Sequence, residues 1–297
     1  MTRRALVVAH RTRHEAVAAT GDVLAELAKA GIDAVMATDD MTAEQLPDVE
    51  MAIVLGGDGT ILRAAELTRA AGVPLLGINL GHIGFLAEIE PDNVPEAVRR
   101  MTSGDYVVEE RSTLQVRVIA PDGTVTDDWA LNEAALEKSD TAKMLEIITE
   151  VDGRPLSSFG TDGIVIATPT GSTAHAFSAG GPVVWPDVDG LIVVPMVAHA
   201  LFARPLVIGP RSRLAVEILD RSPVDGTLTC DGRRSHRVPH GARMEVWRGD
   251  QPVRLARLSP APFTTRLVSK FDLSVDGWRG GPEARGRQSG LRSGPQQ

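Results

Sequence analysis

The sequence predicts an α/β plus β fold, in which an N-terminal domain with a parallel sheet precedes a C-terminal antiparallel β domain. Short apolar runs alternate with helical patterns over the first hundred residues, which is typical of a parallel sheet covered by helices. From about residue 104, apolar runs follow one another without long helices between them. The length of 297 residues also exceeds what one hydrophobic core usually supports.

The N-terminal domain is predicted to span residues 1–103 as repeated strand and helix units. Apolar residues recur at helical spacing from Val17 to Leu27, and Gly31 ends that helix. The alternation then continues to the end of the domain. Predicted strands cover residues 5–9, 34–37, 51–55 and 74–78, and further predicted helices cover residues 60–71 and 91–101.

The C-terminal domain, residues 104–261, is predicted to be antiparallel because turn signals separate its apolar runs. Asp122-Gly123 and Asp152-Gly153 each lie between two such runs, as in hairpins. The predicted strands cover residues 106–108, 114–119, 145–151, 163–167, 214–218, 244–247 and 253–258.

Two further segments are predicted after residue 261, a helical segment and then a disordered tail. Residues 262–278 contain a helical pattern at 263–270, and we expect this segment to return to the first domain. Residues 279–297 are rich in Gly, Arg, Ser, Pro and Gln, so they bury too little surface to offset the entropy of ordering. We therefore predict a disordered tail that is dispensable for the chemistry.

Composition and charge exclude several classes of protein. A net charge of −8 opposes broad nucleic-acid binding, which requires clustered Lys and Arg. Cys230 is the only cysteine, which excludes an intramolecular disulfide and a four-thiolate zinc site and fits a reducing compartment. The apolar run at residues 5–9 is too short for a signal peptide or a membrane span. We expect a cytoplasmic protein that binds neither nucleic acid nor membrane.

The first candidate site is a glycine-rich loop between a predicted strand and a predicted helix. Gly56, Gly57 and Gly59 lack the Cβ atoms that would keep the backbone away from phosphate oxygens. The start of the next helix offers free N–H groups, so the loop is suited to an anion. It is not a Walker A loop, because the required Gly-Lys-Ser/Thr ending is absent.

Asp58 distinguishes this loop from other phosphate-binding loops. A carboxylate beside a phosphate is repelled unless a metal ion bridges the two groups or the carboxylate takes a proton from an incoming hydroxyl. The alternative is a tight turn in which Asp58 caps the helix. The loop alone leaves both interpretations open.

The second candidate site is the long polar run from Asp162 to Pro182. A predicted strand at 163–167 ends in a loop of small and hydroxyl-bearing residues. Small residues admit a flat ligand, while Thr, Ser and backbone groups supply the fixed polar contacts that a ligand pocket needs. An ordinary Ser/Thr/Gly loop is the alternative, and it fits the whole run poorly.

Four motifs together resemble the NAD kinase family. They are GGDGT at 56–60, NLGHIGFLAE at 79–88, LNEAALEK at 131–138 and DGIVIATPTGSTAHAFSAGGP at 162–182. GGDGT alone is shared with phosphofructokinases and with lipid kinases of the diacylglycerol type, whereas the Asn-Glu pair combined with TPTGSTA is highly specific. The resemblance covers nearly the whole chain except the tail.

The resemblance implies a phosphofructokinase-like N-terminal domain, a C-terminal β domain and an active site between them, completed in a homodimer or homotetramer. It implies that the terminal phosphoryl group of ATP, or of polyphosphate, passes to the 2′-hydroxyl of the adenosine ribose of NAD. Asp58 is the implied base, with Gly59 beside it and Arg63 one turn later. The implied dinucleotide contacts are Asn132, Glu133, Lys143, Asp162, Thr173, Ala174, His175, Ala176, Phe177 and Ser178.

The chain departs from the family pattern at one position. His175 stands where the family commonly has Tyr, and its ring is able to stack on a base or nicotinamide and to make binding pH-dependent near neutrality. A structural role is the alternative for a lone histidine. His199 lies in another matching segment and receives no role. Asp231-Gly232-Arg233 also matches, with a plain hairpin turn as an equal alternative.

The implied reaction requires alignment, a proton acceptor and charge neutralisation. Asp58 is predicted to accept the proton. The backbone of Gly56, Gly57 and Gly59 is predicted to hold the donor phosphates together with a divalent cation, Mg²⁺, bound mainly by those phosphates. Two rivals remain: a lipid kinase that shares GGDGT, and a module that senses NAD(H) without turnover. A sensor tolerates loss of Asp58, whereas a kinase does not.

Overall fold

The computed structural model describes residues 3–10, 14–79, 84–87, 94–259 and 262–275. Its helices in these ranges are α1 (His14–Lys29), α2 (Asp58–Thr68), α3 (Val94–Ser103), α4 (His175–Ser178) and α5 (Phe263–Phe271). Its strands are β1 (Arg4–Ala9), β2 (Asp33–Met36), β3 (Met51–Leu55), β4 (Leu75–Ile78), β5 (Val107–Arg111), β6 (Leu114–Ile119), β7 (Val125–Ala130), β8 (Glu133–Lys138), β9 (Leu145–Val151), β10 (Arg154–Thr161), β11 (Gly163–Ala167), β12 (Leu191–Met196), β13 (Leu206–Ile208), β14 (Leu214–Ile218), β15 (Gly226–Cys230), β16 (Arg234–Val238), β17 (Arg243–Arg248) and β18 (Val253–Arg257).

The first sheet has the order β2-β1-β3-β4-β18-β5 and is parallel except at its last pair. All five residues of β3 are buried, as expected for a parallel strand covered on both faces. Side chains of α1 and α3 pack on one face of the sheet, and those of α2 pack on the other. The carboxyl end of β3 thereby points into the turn that begins α2.

Two strands from later in the chain complete this first sheet. β18 lies parallel to β4, with Leu255 opposite Leu75, and β5 pairs antiparallel with β18. Both strands fall within the range 104–261 that the sequence predicts as the antiparallel domain. Their apolar patterns suit either sheet, and only the pairing of distant segments determines which sheet they join.

The rest of the second half forms a sandwich of two antiparallel sheets. Their orders are β10-β9-β14-β17-β6-β7 and β13-β12-β11-β8-β15-β16. Buried side chains of both sheets, such as Val216 and Ile164, share one hydrophobic core. The predicted hairpin turns are confirmed between β6 and β7 and between β9 and β10. The predicted fold class, a parallel α/β region followed by antiparallel β structure, is confirmed as well.

Helix α5 contacts segments from both halves of the chain through aromatic rings. The Phe85 ring lies 5.7 Å from that of Phe263 and 5.9 Å from that of Phe271, measured between centroids. The Phe177 and Phe271 rings lie 4.7 Å apart. The helix agrees with the helical pattern predicted at 263–270 and is one residue longer.

Several predicted features lie outside the described residues. They are the start of the predicted helix at 91–93, much of the motif at 79–88, the end of the segment 262–278, and the predicted tail at 279–297. Among the helices that are described, none combines the length and apolar character needed to cross a membrane.

Candidate active site

The glycine loop joins β3 to α2 without a side-chain cap. Gly57 is the N-cap residue, with extended backbone angles of φ −84° and ψ −171°, and α2 begins at Asp58. The Gly57 carbonyl accepts hydrogen bonds from the N–H groups of Thr60 at 2.9 Å and Ile61 at 3.2 Å. A Cβ on Gly56 would lie 2.3 Å from Thr60 Oγ1, so a glycine is needed there. The interpretation of Asp58 as the helix cap is therefore wrong, because its side chain bonds elsewhere.

The Asp58 carboxylate is held by the backbone of the segment that follows β4. Its Oδ2 accepts the N–H of Phe85 at 3.0 Å, and its Oδ1 accepts the N–H of Leu86 at 3.1 Å. Gly84 allows this approach, since a Cβ there would lie 2.3 Å from Oδ1. Each carboxylate oxygen has about two acceptor sites, so each retains one for a further donor. The carboxylate is oriented and half-buried, and it retains capacity to accept a proton.

Asn79 adds a buried acceptor beside this loop. It follows β4 directly, and the N–H of Gly56 donates to the carbonyl of the preceding Ile78 at 3.0 Å. Its side chain is 7% exposed, and its Oδ1 has no hydrogen-bond partner among the described residues. A buried polar atom without a partner is costly, and ligand binding would relieve that cost. The sequence placed Asn79 in a motif but gave no signal of this environment.

The side chain of Arg63 forms its contacts with Glu66 and with the segment after β2. Its Nη1 forms an ion pair with Glu66 at 3.0 Å. Its Nη2 donates to backbone carbonyls of the segment after β2, namely those of Thr38 at 3.3 Å, Asp39 at 3.0 Å and Met41 at 2.5 Å. The guanidinium thus fixes that segment against α2. It is not directed at the loop that carries Asp58.

Asp231 fixes the backbone of the Asn-Glu pair from the turn between β15 and β16. Its carboxylate accepts N–H groups of three successive residues: Leu131 at 2.9 Å, Asn132 at 2.7 Å and Glu133 at 3.4 Å. Asp231 and Gly232 adopt left-handed φ values of 53° and 65°, which a tight hairpin turn requires. The hairpin interpretation is therefore confirmed. The buried side chain of Asp231 also orients two predicted site residues.

Glu133 is buried beside a second carboxylate. Its side chain is 6% exposed, and its Oε2 accepts the backbone N–H of His175 at 3.3 Å. Burial, and to a smaller extent repulsion by Asp231, raises the pKa of Glu133 to about 7, and the His175 hydrogen bond opposes this shift. Burial also raises the pKa of Asp231, although three backbone N–H groups and Arg234 act against that shift.

The TPTGSTA loop packs directly on the Asn-Glu pair. A Cβ on Gly171 would lie 2.0 Å from the carbonyl oxygen of Asn132, so the two backbones touch. Thr168 Oγ1 donates to the carbonyl of Leu131 at 2.6 Å. Thr173 Oγ1 donates to the carbonyl of Thr170 at 3.3 Å within the turn that precedes α4. The two motifs, about 40 residues apart in sequence, thus form one surface.

The remaining predicted site residues have varied environments. Asp162 forms an ion pair with Lys138, Nζ to Oδ1 at 2.6 Å, and Lys143 lies on an exposed loop. In α4, Ala176 is buried, while Phe177 and Ser178 are exposed, and Ala174 and His175 are half-buried at its start. The N–H of His199 donates to the carbonyl of Gly160 at 2.8 Å.

A hydrophobic cluster and an ion-pair network bring the two candidate sites together. Leu131, the neighbour of Asn132, shares a buried cluster with Leu62 of α2 and Leu86. Arg234 bonds to Asp231, at 3.4 Å, and to Glu66 of α2, at 2.8 Å. Neither Glu66 nor Arg234 was singled out from the sequence, because an ion pair between distant segments leaves no local pattern.

Comparison with known protein families assigns both halves of the chain. Residues 5–106 match the family described as the ATP-NAD kinase N-terminal domain. Residues 131–258 match the family described as the ATP-NAD kinase C-terminal domain. The NAD kinase of Leifsonia xyli is 53% identical over 297 residues, covering 94% of this chain and 97% of that protein. NAD kinase 2 of Streptomyces coelicolor is 58% identical over 243 residues, covering 82% of this chain and 80% of that protein.

Two solved structures share the fold. The yeast NADH kinase complexed with NADH superposes with a TM-score of 0.84 at 18% identity, covering 94% of this chain and 90% of that one. The NAD kinase from Archaeoglobus fulgidus in complex with ATP gives a TM-score of 0.73 at 24% identity, covering 92% of this chain and all of that one.

Proposed function

The chain belongs to the NAD kinase family and phosphorylates NAD to NADP, and we propose that Asp58 is the base in this reaction. The 2′-hydroxyl of the adenosine ribose attacks the terminal phosphorus of ATP, the bond from that phosphorus to the bridging oxygen breaks, and ADP leaves. The hydroxyl proton passes to Asp58. The observation that carries this role is the orientation of the carboxylate by two backbone N–H groups, each oxygen retaining an acceptor site.

We propose that the glycine loop binds the donor phosphates. The backbone of Gly57 and Gly59 is suited to this because the loop lies at the start of α2, where N–H groups and the helix dipole favour an anion. The N–H of Gly56 donates to the carbonyl of Ile78, so Gly56 contributes by leaving space for the phosphates. A divalent cation, Mg²⁺, neutralises phosphate charge when bound, and the donor phosphates supply most of its ligands. No group of three His, Cys, Asp or Glu side chains in the described ranges is arranged to hold a metal ion. Inorganic polyphosphate, which presents the same chain of phosphates, is a candidate donor.

We propose that the dinucleotide lies on the surface formed by the Asn-Glu pair and the TPTGSTA loop. Direct packing of Gly171 on Asn132, and the hydrogen bond from His175 to Glu133, support a single binding surface. The proposed contacts are Asn132, Glu133, Lys143, Asp162 and residues 173–178. Arg63 supports the site indirectly, through the segment that it fixes beside α2.

A homodimer or homotetramer is also proposed, and the exposed apolar residues near β12 and β13 support it. Val197 is 67% exposed, Phe202 is 58% exposed and Val207 is 54% exposed. Apolar groups concentrated on a surface are typical of protein interfaces. Sedimentation velocity distinguishes the monomer, dimer and tetramer.

The proposed location is the cytoplasm, which fits a chain whose single cysteine, Cys230, is buried.

The Asp58→Asn variant tests the proposed base. We expect kcat to fall by about 10²- to 10⁴-fold with a much smaller change in NAD affinity, as is usual for loss of a positioned base. The amide also places an NH₂ group against one backbone donor, so stability should fall by roughly 1–3 kcal/mol. NADP formation from NAD, Mg²⁺ and ATP or polyphosphate measures turnover, and titration with NAD measures affinity.

The matched control for this variant is Asp48→Asn, an exposed aspartate in the same domain, which should retain wild-type turnover. Near-normal kcat in Asp58→Asn would remove Asp58 from the chemistry. A wild-type protein that binds NAD but forms no NADP would instead identify a sensing module.

A further inference from the structure

A cavity of about 560 Å³ lies between β5, β18, α5 and residues 185–187, and it contains three arginines. Arg111 comes from β5, Arg257 from β18 and Arg266 from α5. Guanidinium groups from three separate elements therefore converge on one space. Two carboxylates, Glu109 and Asp187, also line the cavity, so the lining side chains carry a net positive charge.

Arg111 is the most deeply buried of the three. Its side chain is 5% exposed, its Nη2 pairs with Glu109 at 2.7 Å, and its Nη1 lies 3.4 Å from Thr170 Oγ1 of the TPTGSTA loop. Its Nε is buried and has no hydrogen-bond partner among the described residues. Burial and the nearby charges of Arg257 and Arg266 lower the pKa of Arg111 to about 10, despite its pairing with Glu109. An anion in the cavity would stabilise this arrangement of like charges.

The cavity is linked to Asp58 through two shared residues. Arg266 Nη1 donates to the carbonyl of Phe85 at 2.9 Å, and Arg257 Nη1 donates to the carbonyl of Leu86 at 2.9 Å. The N–H groups of these same two residues bind the Asp58 carboxylate. Within Phe85 and within Leu86, the bonds from the amide N to the carbonyl O add up to at most about 4 Å. With a hydrogen bond of about 3 Å on each side, the two guanidinium groups lie within roughly 10 Å of the Asp58 carboxylate.

We propose that this cavity binds the polyphosphate chain of the phosphoryl donor, supplied either by ATP or by inorganic polyphosphate. The proposal rests on the kinase function proposed above and assigns a donor subsite to Arg111, Arg257 and Arg266. Planar guanidinium groups bind phosphate oxygens in pairs and remain charged when partly buried, which suits a chain of several negative charges. The glycine loop then holds the phosphoryl group that is transferred, and the arginines hold the rest of the donor.

The first test removes one cavity charge from the least buried arginine. Arg266→Gln should weaken binding of inorganic tripolyphosphate, titrated by calorimetry without NAD, by tenfold or more. It should also raise the KM for ATP while the KM for NAD stays within about twofold. Lys270→Gln, which removes an equal charge from an exposed position on the same helix, should bind tripolyphosphate as the wild type does.

The second test adds a negative charge to the cavity wall at an exposed threonine of α5. Thr264 and Thr265 are adjacent and exposed in the first turn of α5, but only Thr264 lines the cavity. Thr264→Glu should weaken tripolyphosphate binding by tenfold or more, and Thr265→Glu should change it by less than about threefold. Thermal unfolding of both variants checks that the helix is retained.

The outcomes separate this inference from the proposed function. Separate titrations with ATP and with tripolyphosphate identify the source of the phosphate chain, and loss of either binding in Arg266→Gln supports the subsite. Unchanged binding of both in Arg266→Gln and Thr264→Glu would overturn it, even if the wild type makes NADP. A wild-type protein that makes no NADP would contradict the proposed function. Tripolyphosphate binding is measured without turnover, so it tests the cavity independently of that result.

Discussion

Asp58 and Glu133 are two carboxylates in neighbouring motifs, and their environments differ in kind. Asp58 is half-buried, and each of its oxygens accepts a backbone N–H at about 3 Å. Glu133 is nearly fully buried, accepts one longer hydrogen bond from His175, and lies near the buried carboxylate of Asp231. The Asp58 carboxylate is therefore held by backbone hydrogen bonds and partly accessible to solvent, whereas the Glu133 carboxylate is removed from solvent and repelled by the charge of Asp231.

The difference supports two different proposed roles for the same chemical group. Backbone donors orient Asp58 and leave it open to an incoming hydroxyl, as a base requires. Glu133 lies in a less polar place, where burial raises its pKa to about 7, and it contacts the N–H of His175 on the proposed dinucleotide surface. Orientation by the backbone, and not burial alone, distinguishes the proposed base.

The largest expected effect is on stability, through Glu133→Gln. Between its ordinary pKa of 4.5 and about 7, Glu133 keeps a proton in the folded protein that the unfolded chain has released. The free energy of unfolding therefore falls as pH rises through this range, by about 3 kcal/mol for this group. Glutamine does not titrate, so the variant should gain stability relative to the wild type as pH rises from about 4 to 8. Urea unfolding across pH measures this, and NAD affinity should fall in the same variant.

Glu137→Gln is the matched control, because Glu137 lies on the same strand, β8, and is exposed. Its stability difference from the wild type should change by less than about 0.5 kcal/mol over the same range. A constant difference for Glu133→Gln would show that folding does not raise the pKa of Glu133, and the contrast with Asp58 would then be lost.

A smaller effect is expected from Gly84→Ala, which disturbs the support of Asp58. The new Cβ would lie 2.3 Å from Asp58 Oδ1, so the carboxylate must move away from its two backbone donors. We expect a loss of roughly 1–3 kcal/mol in stability and a fall in kcat of tenfold or more. Gly21→Ala, inside α1 where nothing lies within 4 Å of the new Cβ, should be neutral or stabilising. Wild-type turnover in Gly84→Ala would show that the orientation of Asp58 is not needed.

The smallest effect is expected from His175→Tyr. The contact to Glu133 uses the backbone N–H of His175, which the substitution retains. NAD affinity should therefore stay within about threefold of the wild type. Fluorescence titration with NAD measures this affinity. Abolished binding would indicate an imidazole hydrogen bond that the phenol cannot form.

Local patterns predicted much of the fold. Strands β3, β6, β9, β11 and β14 have the predicted bounds, because their apolar periodicity and flanking turns are encoded within a few residues. β15 and β16 were not predicted, since Gly226, Ser235 and Arg237 weaken the alternation. They form through antiparallel pairing with β8 and with each other.

The candidate site was predictable where a motif is continuous in sequence. The glycine loop and the TPTGSTA loop were found in this way. The support given by Asp231 to residues 131–133 joins positions about 100 apart, and the bonds from Phe85 and Leu86 to Asp58 join positions about 27 apart. Arg63 matches a motif position, but its carbonyl partners lie in another loop. Such contacts depend on how the chain packs, which local residue patterns do not specify.

The position of β18 in the first sheet links the order of synthesis to folding. Leu75 of β4 pairs with Leu255 of β18, so β4 leaves the ribosome about 180 residues before its neighbour in the sheet. At roughly 5–20 residues per second, this interval lasts about 10–40 s. During it, the N-terminal half carries an open parallel edge of apolar residues, which is prone to pair with other chains. The pairing of β18 with β4 therefore covers this edge of the sheet that carries Asp58 only late in synthesis.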